Sequence, residues 1–201
     1  MASPSSSATM QAIPSSRWRL SNCIPITILF SVLLFCLSVF IVWLVIRPKG
    51  LVYTIEDGSV HGFDLKNNHL NATFDFILRS YNHNRKVSVN YDSIKVSVSY
   101  EGETIASDFF EPFFQPHRNV TRFEVKPVAR SVSLMEFVAR DLRLEKSSGK
   151  VRLAVEVKAR IGFKVGVWNS AHRTLRVLCS PVVVFVSSSE KADRTFCNTD
   201  I

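Results

Sequence analysis

The chain has 201 residues, 46% hydrophobic and 21% charged, with a formal charge of +8 and a sequence pI near 9.6. Its 7 Gly and 8 Pro exclude collagen-like and low-complexity chains, and 15 Phe exclude wholesale disorder. The length suits one domain plus an appendage, not two enzyme domains.

Residues 1–22 (MASPSSSATMQAIPSSRWRLSN) are rich in Ser, Pro and Ala, hold no acid, and carry only Arg17 and Arg19 as charges. This is the composition of a disordered tail, expected on the cytosolic side. Residues 23–46 (CIPITILFSVLLFCLSVFIVWLVI) contain no charge and are bracketed by Arg17, Arg19, Arg47 and Lys49. As a helix they would cover about 35 Å against a hydrocarbon core of about 30 Å, so a single-pass transmembrane helix is predicted. The run is too long for a signal peptide, and no small-residue cleavage site follows it. The positive-inside count ties, but two features turn residues 47–201 to the exoplasmic side. Asn71-Ala72-Thr73 and Asn119-Val120-Thr121 are glycosylation acceptor triplets. Cys23 and Cys36 fall in the span, leaving Cys179 and Cys197 as a candidate disulfide around a 17-residue loop; two unrelated buried thiols are the alternative.

From Leu51 onward the dominant period is two. Ala72, Phe74, Phe76 and Leu78 alternate with polar residues, as do Ile94, Val96, Val98 and Tyr100. Each set predicts a strand with one wet face. Val87, Val89 and Tyr91 run on odd numbers, so a bulge or bend is expected near Asp92-Ser93. Glu101-Gly102-Glu103 reads as a tight hairpin turn. The alternation of 151–167 is too long for one ordinary strand and predicts a break at Gly162 or Gly166; in 174–186, Pro181 marks an edge or a bulge. Only 133–146 follows helical spacing, with Leu134, Phe137, Val138 and Leu142 on one face and Ser133 and Glu136 spaced as a capping box. The expected fold is mainly β: an antiparallel seven-stranded β-sandwich, immunoglobulin or fibronectin-III-like, with one short α-helix, behind the anchor.

A catalytic reading finds little. The five His show no paired metal-ligand spacing, and neither a nucleophile elbow nor a phosphate-cradling loop is present. No enzyme activity, metal or cofactor is implied. The charge is more informative. Residues 47–139 are neutral, whereas 140–176 hold ten basic and three acidic side chains, and Arg152, Lys158, Arg160 and Lys164 fall on the wet face of the alternation. Such a stripe is either an ordinary solvated face or a site for an acidic partner, with anionic lipid and acidic cell-wall polysaccharide as the two candidates. Nucleic acid is not expected, because no aromatics interleave the stripe and the domain is read as exoplasmic.

Several segments resemble a known family. Arg47-Pro48 after the span, the run Ser80-Tyr81-Asn82-His83-Asn84-Arg85-Lys86-Val87-Ser88-Val89-Asn90-Tyr91-Asp92, and Pro112-Phe113-Phe114-Gln115 look like the plant harpin-induced-like membrane proteins. These are relatives of the non-race-specific disease-resistance protein and carry a late-embryogenesis-abundant group-two domain. The family's usual Asn-Pro-Asn is here Asn82-His83-Asn84. The resemblance implies a seven-stranded sandwich with one helix, the C-terminal cysteine pair, a place at the plasma membrane or plasmodesmata, and a link to pathogen and stress responses without enzymatic activity. Asn82, Asn84, Tyr91, Pro112, Phe113, Phe114 and Gln115 are its motif residues, favoured as structural signatures. Two functions follow: a membrane-anchored interaction protein contacting wall polymers or other membrane proteins, and a lipid-handling domain holding an acyl chain in an apolar interior. Thr27, Ser31 and Ser38 would additionally allow the anchor to self-associate as a homo-oligomer.

Overall fold

The computed structural model describes residues 17–46, 49–186 and 194–200, with side chains on the N-terminal helix described for 25–41. Most of the expected tail, 1–16, lies outside the described residues. The chain divides into two units, Met1–Arg47 and Pro48–Ile201.

The first unit is the helix α1, Arg17–Ile46. Its side chains at 25–41 are exposed. Among the described residues no helix is long and apolar enough to cross a membrane. That finding overturns the single-pass anchor of the sequence reading. The plasma-membrane placement and the cytosolic and exoplasmic assignments, which presupposed the anchor, fall with it. Ser31 Oγ donates to the Thr27 carbonyl at 2.9 Å and Ser38 Oγ to the Phe35 carbonyl at 2.7 Å, so both hydroxyls bond back into their own helix.

The second unit contains β1 (Val52–Lys66), β2 (His69–Asn82), β3 (Ser88–Tyr100), β4 (Glu103–Phe110), β5 (Phe113–Gln115), β6 (Asn119–Val125), β7 (Val128–Ser133), α2 (Glu136–Ser147), β8 (Lys150–Val165), β9 (Trp168–Asn169), β10 (Arg173–Val186), β11 (Thr195–Phe196) and β12 (Asn198–Asp200). Two-residue turns set the hairpins. Asn67 and Asn68 (φ 49° and 62°) join β1 to β2, and Glu101 and Gly102 (φ 48° and 83°) join β3 to β4. Both central residues in the left-handed region is the twist that matches paired strands. Period two survives in the burial: alternate residues of β2 from Leu70 to Asn82 are all buried.

The strands do not form two facing sheets. β1 pairs with β2 on one side and, through Ser59 and Val60 opposite Phe185 and Val186, with β10 on the other. The ring β1-β10-β8-β3-β4-β7-β2 therefore closes, a seven-stranded barrel in place of the expected sandwich. Two seams in the ring are narrow: two residue pairs between β1 and β10, and one, Ser107 opposite Val128, between β4 and β7. Closure leaves open edges only beside these seams, where a sandwich would have had to protect whole strands. The expected irregularities fall at bulges, between Tyr91 and Ser93 in β3 and around Pro181 in β10. β8 passes through Gly162 unbroken and ends at Val165, so the break is at Gly166.

A second helix is present besides α1. α2 buries Val138, Ala139 and Leu142, but Phe137 is 53% exposed. Ser133 does not cap it; the N-cap is Met135 without a side-chain bond, because Ser133 is held opposite His69 in the β2–β7 ladder. The interior is filled by Tyr53, Tyr91, Phe74, Phe76, Ile55, Leu70 and their neighbours, each no more than 2% exposed.

Candidate functional site: a buried polar knot and a basic outer face

The inward parity of β2 continues past Leu78 to Ser80 and Asn82, which places polar side chains at 0% exposure at one end of the interior. Buried polar groups must find partners. Here Gln115 of β5 supplies them. Its Oε1 accepts from Ser80 Oγ at 3.1 Å and from the Tyr91 hydroxyl at 3.2 Å, while its Nε2 donates to the Ser80 carbonyl at 3.0 Å and the Asn119 carbonyl at 3.3 Å. Since the Tyr91 proton is committed to Gln115, Tyr53 is the donor in the short hydroxyl–hydroxyl bond that joins it to Tyr91.

A second half of the knot fixes the loop after β2. Asn82 Nδ2 donates to the carbonyls of Val87 (2.9 Å) and Pro116 (3.1 Å), and its Oδ1 accepts from the backbone and side-chain nitrogens of Asn84. Asn84 in turn clasps the first residue described in the domain: Oδ1 accepts from the Lys49 amide at 2.7 Å and Nδ2 donates to the Lys49 carbonyl at 3.0 Å. Phe113 stacks on Tyr91 with centroids 4.3 Å apart, whereas Phe114 and Pro112 are exposed. Five of the seven motif residues thus pack or bond as structural members of one barrel end.

Burial raises the hydroxyl pKa of both Tyr53 and Tyr91 above the ordinary tyrosine value. Tyr100, buried at the β3–β4 turn with Glu145 and Glu101 nearby, is pushed up to about 12. A tyrosine raised in the folded state and ordinary in the unfolded state loses its contribution as pH climbs through the folded value. Stability should therefore fall between about pH 10 and about pH 12, and urea midpoints of Tyr100→Phe should fall less steeply over that interval than those of the parent.

The outer face of β8 carries the predicted basic side chains, and the structure divides them. Arg152 is held by Glu145 of α2, with Nη2 at 2.9 Å and Nε at 3.2 Å from Oε1, and Lys158 lies 3.1 Å from Glu156. Lys164 sits over the Phe114 ring at 5.9 Å. Arg160 makes no ion pair among the described residues. Sheet register adds what one strand's spacing does not reveal. Lys95 of β3 and Arg176 of β10 both stand opposite Lys158, with Asp200 of β12 on the far side of Arg176. Strand spacing puts their backbone positions about 5 Å apart on one face, so their like charges repel. Around them lies an open hollow of about 480 Å³, lined by Lys95, Phe109, Lys158, Arg160, His172 and Arg173. Phe109, 73% exposed, brings an aromatic ring to this face, with Lys95 Nζ 5.8 Å from its centroid. The outward parity of β3 was the available signal for Lys95; Phe109 reaches the face only through the β3–β4 pairing. Asn71 and Asn119 are both exposed, and Asn71 Oδ1 accepts from the Ser131 amide at 2.8 Å. Cys179 and Cys197 are joined as a disulfide. Among the described residues no group of three or more His, Cys, Asp or Glu is placed to hold a metal ion.

Fold and site define a closed, mainly-β domain braced by a buried amide–hydroxyl knot and basic on one outer face. Residues 78–179 match the family model of the late embryogenesis abundant protein, LEA_2. An uncharacterized protein of Arabidopsis thaliana is 38% identical over 191 residues, covering 93% of this chain and 86% of that protein. NDR1/HIN1-like protein 26 of Arabidopsis thaliana is 26% identical over 153 residues (74% and 72% covered), and NDR1/HIN1-like protein 1 is 26% identical over 174 residues (85% and 83%). The chain belongs to the LEA_2 family and, with its NDR1/HIN1-like homologues, to a family related to plant stress and defence. Among solved structures, a protein from Archaeoglobus fulgidus matches 61% of this chain and 91% of its own at 11% identity and a TM-score of 0.34, a likeness that carries no argument.

Proposed function

We propose that the protein is a non-enzymatic interaction protein in stress and defence responses, and that its β3–β8–β10 face holds an acidic polysaccharide. The observation that carries this reading is the cross-strand row Lys95, Lys158 and Arg176, flanked by Arg160 and Arg173. Like charges placed in register cost folding energy, and a line of carboxylates on a partner offsets that cost. Phe109 offers a flat apolar ring beside the charges on which a sugar face can rest. The packed interior weighs against the alternative of an acyl-chain carrier, since large side chains occupy the space a chain would need.

The triple variant Lys95→Glu, Arg160→Glu, Arg173→Glu should bind polygalacturonate about a hundredfold more weakly than the parent, on the order of 1 kcal/mol for each charge reversed. Arg130→Glu, a charge change on β7, should bind as the parent does. Parent binding should also weaken with salt. Parent affinity equal for polygalacturonate and neutral dextran, or single-stranded DNA bound more tightly than either, would overturn the reading.

A further inference from the structure

We propose that the β8–β9 hairpin tip is a peripheral docking point for an anionic lipid bilayer. This site lies beyond the basic row and does not depend on it. Val165 stands opposite Trp168 and Lys164 opposite Asn169, so Gly166 and Val167 alone make the turn. Gly166 takes φ 58° at the first central position, which a two-residue hairpin demands and a side chain resists. The result is a tight tip of two residues. Val167 is 101% exposed and Trp168 58%, and the neighbouring Phe114 is 50% exposed, whereas valines elsewhere in the domain are mostly buried. Clustered exposure of this kind marks an interaction surface.

The surroundings decide the partner. A hollow of about 500 Å³ beside the tip is lined by Arg85, Lys86, His117 and Lys164 together with Phe114 and Val165, and no acidic residue lines it. Arg85, Lys86 and Lys164 make no ion pair among the described residues. An apolar wedge ending in an indole and ringed by unpaired cations complements an acyl layer under anionic headgroups. Tryptophan settles at that boundary, and each lysine or arginine near an anionic surface adds about fivefold to affinity. An apolar patch on a protein partner would not need the cations.

The test uses the full chain with Trp18→Phe and Trp43→Phe, which leaves Trp168 as the only indole of the 3 in the sequence. Vesicles of phosphatidylserine and phosphatidylcholine with brominated acyl chains should shift Trp168 emission to the blue and quench it. Val167→Asp should weaken the quenching titration about tenfold, with Val167→Ser giving a smaller loss in the same direction. The variant Arg85→Glu, Lys86→Glu, Lys164→Glu should remove the dependence on phosphatidylserine. Circular dichroism should show every variant folded, since the side chains of Arg85, Lys86, Lys164 and Val167 are exposed. Unchanged Trp168 emission, or equal quenching on phosphatidylcholine alone, overturns the proposal. So does quenching that the charge reversals leave intact.

Discussion

Gln115→Leu should destabilise the domain by about 3–5 kcal/mol, a large share of the roughly 5–15 kcal/mol that such a domain has in total. Leucine fills nearly the same volume, so the loss is one of hydrogen bonding, not of packing. It takes one hydrogen bond each from the Ser80 hydroxyl, the Tyr91 hydroxyl and the carbonyls of Ser80 and Asn119, all of which use the Gln115 amide, while Tyr91 keeps its bond to Tyr53. A buried group left without its partner costs on the order of 1–3 kcal/mol, and the total is less than additive because the groups share one site and the hydroxyls keep other partners. Urea unfolding should show a lower midpoint with an unchanged slope. The decisive comparison is a double-mutant cycle with Tyr91→Phe. In the parent that change removes a donor to Gln115 and a partner of Tyr53; in Gln115→Leu the first of those bonds is already gone. Tyr91→Phe should therefore cost less in the variant than in the parent. Equal costs in both backgrounds would mean that the knot is not a unit.

The knot was half legible in the sequence. Period two in β2 runs without interruption from Ala72 to Leu78, and carrying it two steps further places Ser80 and Asn82 inside. What the pattern does not say is which side chain meets them. Gln115 arrives on a three-residue strand, too short to have a period. Closure of the barrel was illegible for a related reason. β1 reads VYTIEDGSVHGFDLK, and register shifts between Ile55 and Asp57 and between His61 and Asp64 break its alternation. Its pairing with β10 joins Ser59 to Phe185, far apart in sequence, and no local pattern encodes that contact. Hairpins were the reverse case. Glu101-Gly102 dictates its own turn, so the β3–β4 ladder follows from two residues. The charge face sits between these extremes: β8 showed its own cations, while Lys95 lay hidden in a neutral stretch until pairing with β8 brought it alongside Lys158.

Cys197→Ser should cost about 3 kcal/mol, and the damage should be local. Cys179 and Cys197 are 18 residues apart in sequence, and opening a loop of that size restores roughly that much entropy to the unfolded chain. The location of the bond matters more than its size. β11 and β12 hold two and three residues, and Phe196 is 74% exposed, so burial contributes little to keeping them in place. Yet β11 occupies an edge of β1 that β10 does not reach: Thr54 and Ile55 pair with Phe196 and Thr195, whereas β10 pairs with β1 only at Ser59 and Val60. The Cys197 amide adds a bond to the Tyr53 carbonyl at 3.1 Å. The disulfide therefore fastens the part of the barrel seam that the β1–β10 ladder leaves open. Hydrogen exchange on Cys197→Ser should show amides of 53–55 and 194–200 losing much more protection than the β3–β8 ladder, which loses only what the drop in global stability takes. Cys179→Ala should give the same map, because it cuts the same clip from the buried side. Protection lost evenly across all strands would show the bond acting on the unfolded chain alone, with no role in holding the seam.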